Sequence, residues 1–264
     1  MKIISYCLYG NNHRYTTPII INAKTVKDYY PGWTIRVYHD DTVSYEVLNI
    51  LNQNEVQLIN INQSDVTHYN LAPKFWRFSP ILESKVTAVI FRDADSTFSD
   101  REAALVKDWL DSDYTFHIIR DHQLHISPIL AGMFGIKNHG FHILSALLFN
   151  NAQITNKNNY NSDQIFLADH LYPLIQKDSL VHTAYFAFYS ENYIIINKCE
   201  IPNGFIGAVF TDKESGNNAI LFDYDFIVGI PFWFAKLMII FRYNQELYNF
   251  YLLLKLQLNL VLVE

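Results

Sequence analysis

Val86-Thr87-Ala88-Val89-Ile90-Phe91 runs without a break into Arg92-Asp93-Ala94-Asp95-Ser96. The first six residues are apolar or β-branched at both alternating positions, the pattern of a strand covered on both faces of a parallel sheet. Ser99-Asp100-Arg101-Glu102 reads as a capping box, with Ser99 as N-cap and Glu102 at the third helical position. The helix that it opens carries Leu105, Val106, Trp109 and Leu110 on one face, and Tyr114 to Ile119 returns as a strand. Asp93 and Asp95 therefore sit in the loop at the carboxyl end of a central strand, where open α/β sheets hold their ligands.

Toward the N-terminus the same rhythm repeats. Residues 3–9 predict a buried strand stopped by Gly10-Asn11-Asn12, followed by a helix over about 18–30 that ends at Pro31-Gly32. Ile35 to Tyr38 is a strand running into His39-Asp40-Asp41, a helix covers about 43–53, and Val56 to Ile59 is a third strand. Alternation of this kind builds a mostly parallel sheet with helices on both faces. Beyond it, residues 139–161 are rich in Asn and His and predict an irregular surface excursion. A helix from about Asp163 to His170 takes Ser162 as its N-cap.

Length and composition bound the rest. With 264 residues, half of them hydrophobic and 16% aromatic, the chain has material for a full core. The division that follows is an α/β domain over 1–210 and a hydrophobic C-terminal segment over 211–264. Within that segment, Phe226 to Phe241 is apolar apart from Lys236 and contains Pro231. It is shorter than the roughly 20 residues a spanning helix needs, leaving membrane-surface contact through 226–241 or burial against the domain. Leu254 to Val263 alternates as a half-buried strand does. The net charge of −6 and the lack of a basic stripe exclude a nucleic-acid partner. They also require a local cation wherever an anionic ligand is to bind. Cys7 and Cys199 are the two cysteines, far apart and outside metal-ligand spacing, so a disulfide framework is excluded and a reducing cytoplasm fits. The opening apolar stretch is too short for the apolar core of a signal peptide. The expected place is the cytoplasm, with peripheral contact on the inner face of a membrane.

Asp93 and Asp95 are two apart at a strand end, so both side chains leave the same face. Two converging carboxylates make a hard oxygen site suited to Mn²⁺ or Mg²⁺. Such a cation bridges diphosphate oxygens and offsets the charge that builds on a leaving nucleotide. The bland alternative is a solvated acidic loop, since a bare D-x-D is common; its place after an all-apolar strand is what sets this one apart.

Several stretches resemble the GT-A glycosyltransferases, in particular bacterial and viral sugar transferases linked to surface polysaccharides. They are Ser5 to Gly10, Tyr30 to Trp33, Lys74 to Phe78, Arg92 to Ser96, Phe116 to His122, Ala131 to Gly135, and Asp163-Gln164, in order over about residues 1–185. The resemblance implies a GT-A, Rossmann-like domain and an enzyme that moves a sugar from a nucleoside diphosphate sugar, UDP- or GDP-linked. The acceptor it implies is a hydroxyl of a glycan or lipid-linked acceptor, with retention of configuration slightly preferred. Carried over position by position, Leu8, Tyr9, Gly10 and Tyr15 would hold base and ribose, and Arg77 would seat the diphosphate. Asp95 would bind the metal directly, with Asp93 on metal or ribose and His182 as a third metal ligand. Gly132 and Gly135 would let backbone approach the donor sugar. Asp163 and Gln164 would touch the transferred sugar, and Asp121 is a second candidate base. Against these stand structural readings: a helix-surface ion pair for Arg77, ordinary turns for the glycines, a helix-end charge for Asp163, an Arg–Asp pair for Asp121. For His117, inside an apolar strand, the structural reading is preferred.

Two other functions fit the carboxylate site. One is a different metal-dependent phosphoryl enzyme, a nucleotide-sugar hydrolase or a nucleotidyltransferase. Residues 8–14 contain one glycine and no lysine, which disfavours the phosphate loop of a nucleotidyltransferase. The other is a non-catalytic carbohydrate-binding or assembly protein, which would neither bind a nucleoside diphosphate with Mn²⁺ nor release one.

Overall fold

The computed structural model describes residues 1–63, 71–155, 161–201 and 204–210, together with the backbone of 227–230. From the N-terminus come β1 (Lys2–Leu8), α1 (His13–Tyr29), β2 (Trp33–His39), α2 (Tyr45–Gln53) and β3 (Gln57–Asn60). Consecutive 3₁₀ turns over Pro73–Leu82 lead to β4 (Ala88–Arg92), α3 (Asp100–Asp111), β5 (Phe116–Arg120) and β6 (Met133–Lys137). Helices α4 (Phe141–Asn150), α5 (Ala152–Thr155) and α6 (Ser162–Phe166) follow, then a π-type turn over Leu167–Leu171 and α7 (Tyr172–Ile175). The strands β7 (Ser179–Thr183), β8 (Phe186–Phe188), β9 (Asn192–Ile195) and β10 (Ile227–Ile230) complete the described elements.

Eight strands form one sheet in the order β3-β2-β1-β4-β6-β5-β7-β9. Every neighbouring pair is parallel except those of β6, which runs against both β4 and β5. This is the mostly parallel α/β sheet that the sequence predicts. Alternation along each strand feeds two cores. Ile4, Tyr6, Val37 and Ile90 face α1, α2 and α3, meeting Ile19, Leu51, Val106 and Trp109. Ile3, Val89, Phe91 and Phe134 face the other way, onto Phe75 and Phe78, Leu144 of α4 and Phe166 of α6. Each such fully buried side chain contributes about 1.5–3 kcal/mol relative to exposure.

Several local expectations are corrected. Helix α1 begins at His13, five residues before the expected start, because the Asn12 side chain caps it by accepting the Arg14 N–H. Only the Ser99 half of the capping box forms: Ser99 accepts the Glu102 N–H, while the buried Glu102 carboxylate pairs with Arg92. Residues 139–155 are not an irregular excursion, and 156–160 lie outside the described residues. Phe141, Leu144 and Leu148 fall on one face of α4 and are buried. Ser162 does not cap α6; Asn161 holds that position with φ 58, and the Ser162 hydroxyl is buried without a hydrogen bond.

Most of the C-terminal segment, including the expected strand over 254–263, lies outside the described residues. Within 226–241, the backbone of β10 pairs in parallel with β8. No helix of the described residues is long and apolar enough to cross a membrane.

Candidate active site

The sheet order changes direction between β1 and β4: chain progress from β1 goes toward β2 and β3, whereas β4 lies on the other side. The carboxyl ends of these two strands thus open onto a cleft that neither crossover fills. Because β6 is antiparallel, its amino end arrives at the same edge and brings Ala131 and Gly132 with it. A cavity of about 390 Å³ occupies this place. It is lined by Cys7 and Leu8 at the end of β1 and Tyr9 after it, Arg14 and Tyr15 at the start of α1, and Lys74 and Arg77 on the 3₁₀ turns. Asp93, Ala94 and Asp95 after β4, Ala131 before β6, and Asn161, Asp163 and Gln164 at α6 close it.

Arg77 organises one wall. Its side chain is almost wholly buried, its Nη1 donates to Asp93 Oδ1 at 2.5 Å, and its Nη2 donates to Asp163 Oδ2 at 3.2 Å. Nε donates to the Lys74 carbonyl, and Nη1 also reaches the Arg92 carbonyl at 3.4 Å. The guanidinium thereby ties the 3₁₀ turns to the end of β4. Burial works against its charge, but Cys7, Asp93 and Asp163 outweigh it and hold the guanidinium above its ordinary pKa. In a 3₁₀ turn residues three apart eclipse, which sets Lys74 and Arg77 on one edge.

The acidic loop is fixed from the other side. Asn22 of α1 donates to the Ser96 carbonyl at 2.9 Å and accepts the Phe98 N–H at 2.9 Å. Arg14 donates to Asp95 Oδ2 through Nε at 3.2 Å and Nη2 at 3.0 Å. Burial and the charge of Asp93 raise the Asp95 pKa, while Arg14 pulls it down. Gly132 makes the loop fit: a Cβ there would stand 2.2 Å from Asp93 Oδ2.

The donor set fits a divalent cation. Mg²⁺ and Mn²⁺ take oxygen ligands and commonly use one or two carboxylates, completing their shells with water and substrate phosphate. Asp93, whose side chain is half exposed, and Asp95 supply two such carboxylates on one loop.

Other site residues of the sequence reading fall elsewhere. His182 is not beside the carboxylates. On β7 its Nδ1 meets His117 Nε2 at 2.8 Å and its Nε2 meets Asp108 Oδ2 at 2.9 Å, so both ring nitrogens are engaged away from the cavity. Asp121 is fully buried and is no candidate base. Its carboxylate pairs with Arg101 and accepts the Ile206 N–H at 2.9 Å, tethering the segment after β9 to the sheet. Gly135 does not line the cavity. It lies mid-strand in β6, where a Cβ would meet the Trp109 ring at 2.9 Å and Ile90 at 3.1 Å. Gly10 does not line the cavity; its φ of +70 turns the chain toward α1, and its N–H donates to Thr42 Oγ1 at 2.6 Å. Gln164 lines the cavity, but its amide is engaged. Oε1 accepts the Ala131 N–H at 3.2 Å, and Nε2 donates to Ser127 Oγ at 2.8 Å and to the Ile129 carbonyl. Its amide holds the 127–131 loop at the edge of the cavity.

Arg14, Lys74 and Asn161 were missed as lining residues. The signal for Arg14 was a cation two residues after a capping asparagine, where the helix dipole disfavours positive charge. The signal for Lys74 was its spacing from Arg77. Asn161 had none: a left-handed cap at the residue before Ser162 has no local mark.

Two expected results follow from the corrected placements. Gly135→Ala overfills the contact with Trp109 and should cost about 1–3 kcal/mol, read as a lower midpoint in chemical denaturation. An unchanged midpoint would mean that Trp109 is not packed there. His117 and His182 give a pH dependence. Burial pushes both imidazoles below the usual value of 6.5; for His117 the neighbouring His182 adds to the effect, and for His182 Asp108 opposes it. The folded chain keeps them neutral while the unfolded chain takes up protons, so stability is complete above about pH 6.5 and declines as pH falls. Urea midpoints should drop between about pH 7.5 and 5.5, less steeply in His117→Gln. Equal slopes in parent and variant would remove His117 from the account.

No family model matches this chain, and no curated protein matches it. Solved structures do. A glycosyltransferase involved in the glycosylation of the major capsid of PBCV-1 is 11% identical, with 71% of this chain and 84% of that one covered at a TM-score of 0.44. The galactosyltransferase LgtC, in complex with donor and acceptor sugar analogs, is 13% identical over 70% of this chain and 76% of its own, also at 0.44. The mannosyltransferase PcManGT from Pyrobaculum calidifontis, in complex with GDP-Man and Mn²⁺, is 11% identical over 64% and 61%, at 0.38. At such scores these likenesses carry no weight for function, which stands on the residues of the cavity.

Proposed function

We propose that the cavity binds a nucleoside diphosphate sugar with a divalent cation, and that the protein is a GT-A glycosyltransferase. The observation that carries this reading is the set of charges meeting at the sheet's switch point. Arg14, Lys74 and Arg77 stand against Asp93, Asp95 and Asp163 in one cavity, three cations to three carboxylates. Balanced charge of this kind admits a dianionic diphosphate only together with a dication, and two of the carboxylates lie on the loop suited to hold one. The motif resemblance over residues 1–185 points to the same chemistry.

Each residue then has a part. Asp93 and Asp95 would hold Mn²⁺ or Mg²⁺, which when bound offsets the charge growing on the departing diphosphate. Arg77, its fork already fixed by Asp93 and Asp163, orients that carboxylate without reorganising during transfer. Lys74 adds a second cation for the phosphates. Tyr9 and Tyr15, both partly exposed, offer aromatic faces for the base, beside the backbone of Leu8. Asp163 stands where the transferred sugar would lie, and Gln164 positions the 127–131 loop beside it. Gly132 admits the Asp93 carboxylate. The acceptor is a hydroxyl of a glycan or a lipid-linked glycan, and retention of configuration is the outcome that the Asp-Gln resemblance favours. Membrane-surface contact through 226–241 would suit a lipid-linked acceptor.

The test is turnover. The chain incubated with Mn²⁺ and a panel of UDP- and GDP-sugars should release nucleoside diphosphate, faster with an acceptor and not at all with excess chelator. Release of inorganic phosphate or a nucleoside monophosphate instead would favour a phosphoryl enzyme. No release from any donor would favour a binding protein.

A further inference from the structure

We propose that Arg14 is an exchange residue, neutralising Asp95 when no cation is bound and turning to the diphosphate once a divalent cation takes Asp95. The inference rests on the metal and nucleotide reading of the cavity and adds a residue that alternates between its two ligands.

The two arginines of the cavity are unlike. Arg77 is 6% exposed and held by four groups, whereas Arg14 is 51% exposed and directs both Nε and Nη2 at the single oxygen Asp95 Oδ2. Asp95 is 14% exposed, but the Arg14 end of the pair reaches solvent, so the guanidinium can leave it for water. A dication bound to Asp95 would also repel the guanidinium, since both seek the same carboxylate. Arg14 is therefore the group that can move.

Its position decides where it moves. Arg14 lies in the first turn of α1, whose N-terminus carries no acidic residue. A cation there is opposed by the helix dipole, which favours an anion at that end. Asp95 meets this demand across the cavity. When a cation claims Asp95, Arg14 and the helix end face the same cavity with their anion withdrawn. A diphosphate, which the cation itself brings, replaces it. Lys74 and Arg77 line the same cavity, so the phosphates would meet cations from two elements.

The scheme has a signature that a simple binding residue lacks. Arg14 competes with the cation alone and assists the cation when nucleotide accompanies it, a positive coupling between the two ligands. Arg14→Met keeps the aliphatic stem and removes the charge. Manganese chloride alone, titrated with free Mn²⁺ counted by electron paramagnetic resonance, should bind about fivefold more tightly to Arg14→Met than to the parent. With saturating UDP or GDP present, Mn²⁺ should bind about tenfold more weakly to the variant. Arg14→Lys should fall between, since it keeps the charge without the fork. A change of the same sign with and without nucleotide, or none in either, overturns the exchange. If the parent and Asp95→Asn bind Mn²⁺ equally or not at all, the metal reading fails and the exchange falls with it.

Discussion

Asp95→Asn should lower turnover by about 10³-fold and abolish Mn²⁺-dependent nucleotide binding, while the unfolding midpoint stays within about a degree or two. The two halves of this expectation come from separate observations. For catalysis, Asp95 is one of the two carboxylates of the acidic loop, and the neutral amide of Asn lacks the charge with which a carboxylate holds Mg²⁺ or Mn²⁺. For stability, its carboxylate is raised in pKa by burial and by Asp93, so the folded state gains little from its charge. The partner Arg14 is half exposed, and such pairs contribute under about 1 kcal/mol. The Asp95 carbonyl accepts the Phe210 N–H at 2.7 Å, which the substitution leaves in place. A stable, inactive variant is therefore expected. Full activity would remove the metal from the account, and a large loss of stability would make Asp95 a structural residue.

Arg77→Met should do the opposite and damage the fold first. The guanidinium is buried and is the shared partner of Asp93 and Asp163, the latter carboxylate itself only 9% exposed. Removing one member of a buried pair leaves uncompensated charge and costs about 3–5 kcal/mol. Here the carbonyls of Lys74 and Arg92 lose their donor as well. Adding Asp163→Asn to Arg77→Met should restore part of the loss, because the orphaned carboxylate is then neutral; this coupling is the test of direct contact. Equilibrium urea denaturation measures both. An Arg77→Met variant as stable as the parent would contradict the buried network.

How much of this was legible in the sequence depends on how local each signal is. The all-apolar run into Asp93 and Asp95 marked β4 and its loop because both faces of that strand are covered. The Ser99 cap and the order of strands and helices to residue 60 were also local patterns. Strand direction is not local. Nothing in Met133 to Lys137 marks β6 as antiparallel, yet its reversal is what brings Gly132 against Asp93. Gly132 and Gly135 look alike as letters, and the sheet separates them: one admits a carboxylate, the other an indole. His182 stands where the resemblance implies a third metal ligand, but it lies on β7, two strands beyond β6. The buried face of α4 was hidden because Ile143, Leu147 and Phe149, off that face, are apolar too and blur the helical period. Arg14 was missed with the first turn of α1, since the helix was begun at Pro18 rather than at the Asn12 cap.

The most direct measurement is calorimetric titration of UDP and GDP into the full chain, with Mn²⁺ and again with excess chelator. The account predicts that at least one of the two binds with Mn²⁺, and that binding is lost with chelator and in Asp95→Asn. Binding of equal strength with chelator present, or no binding of either nucleotide, would contradict it.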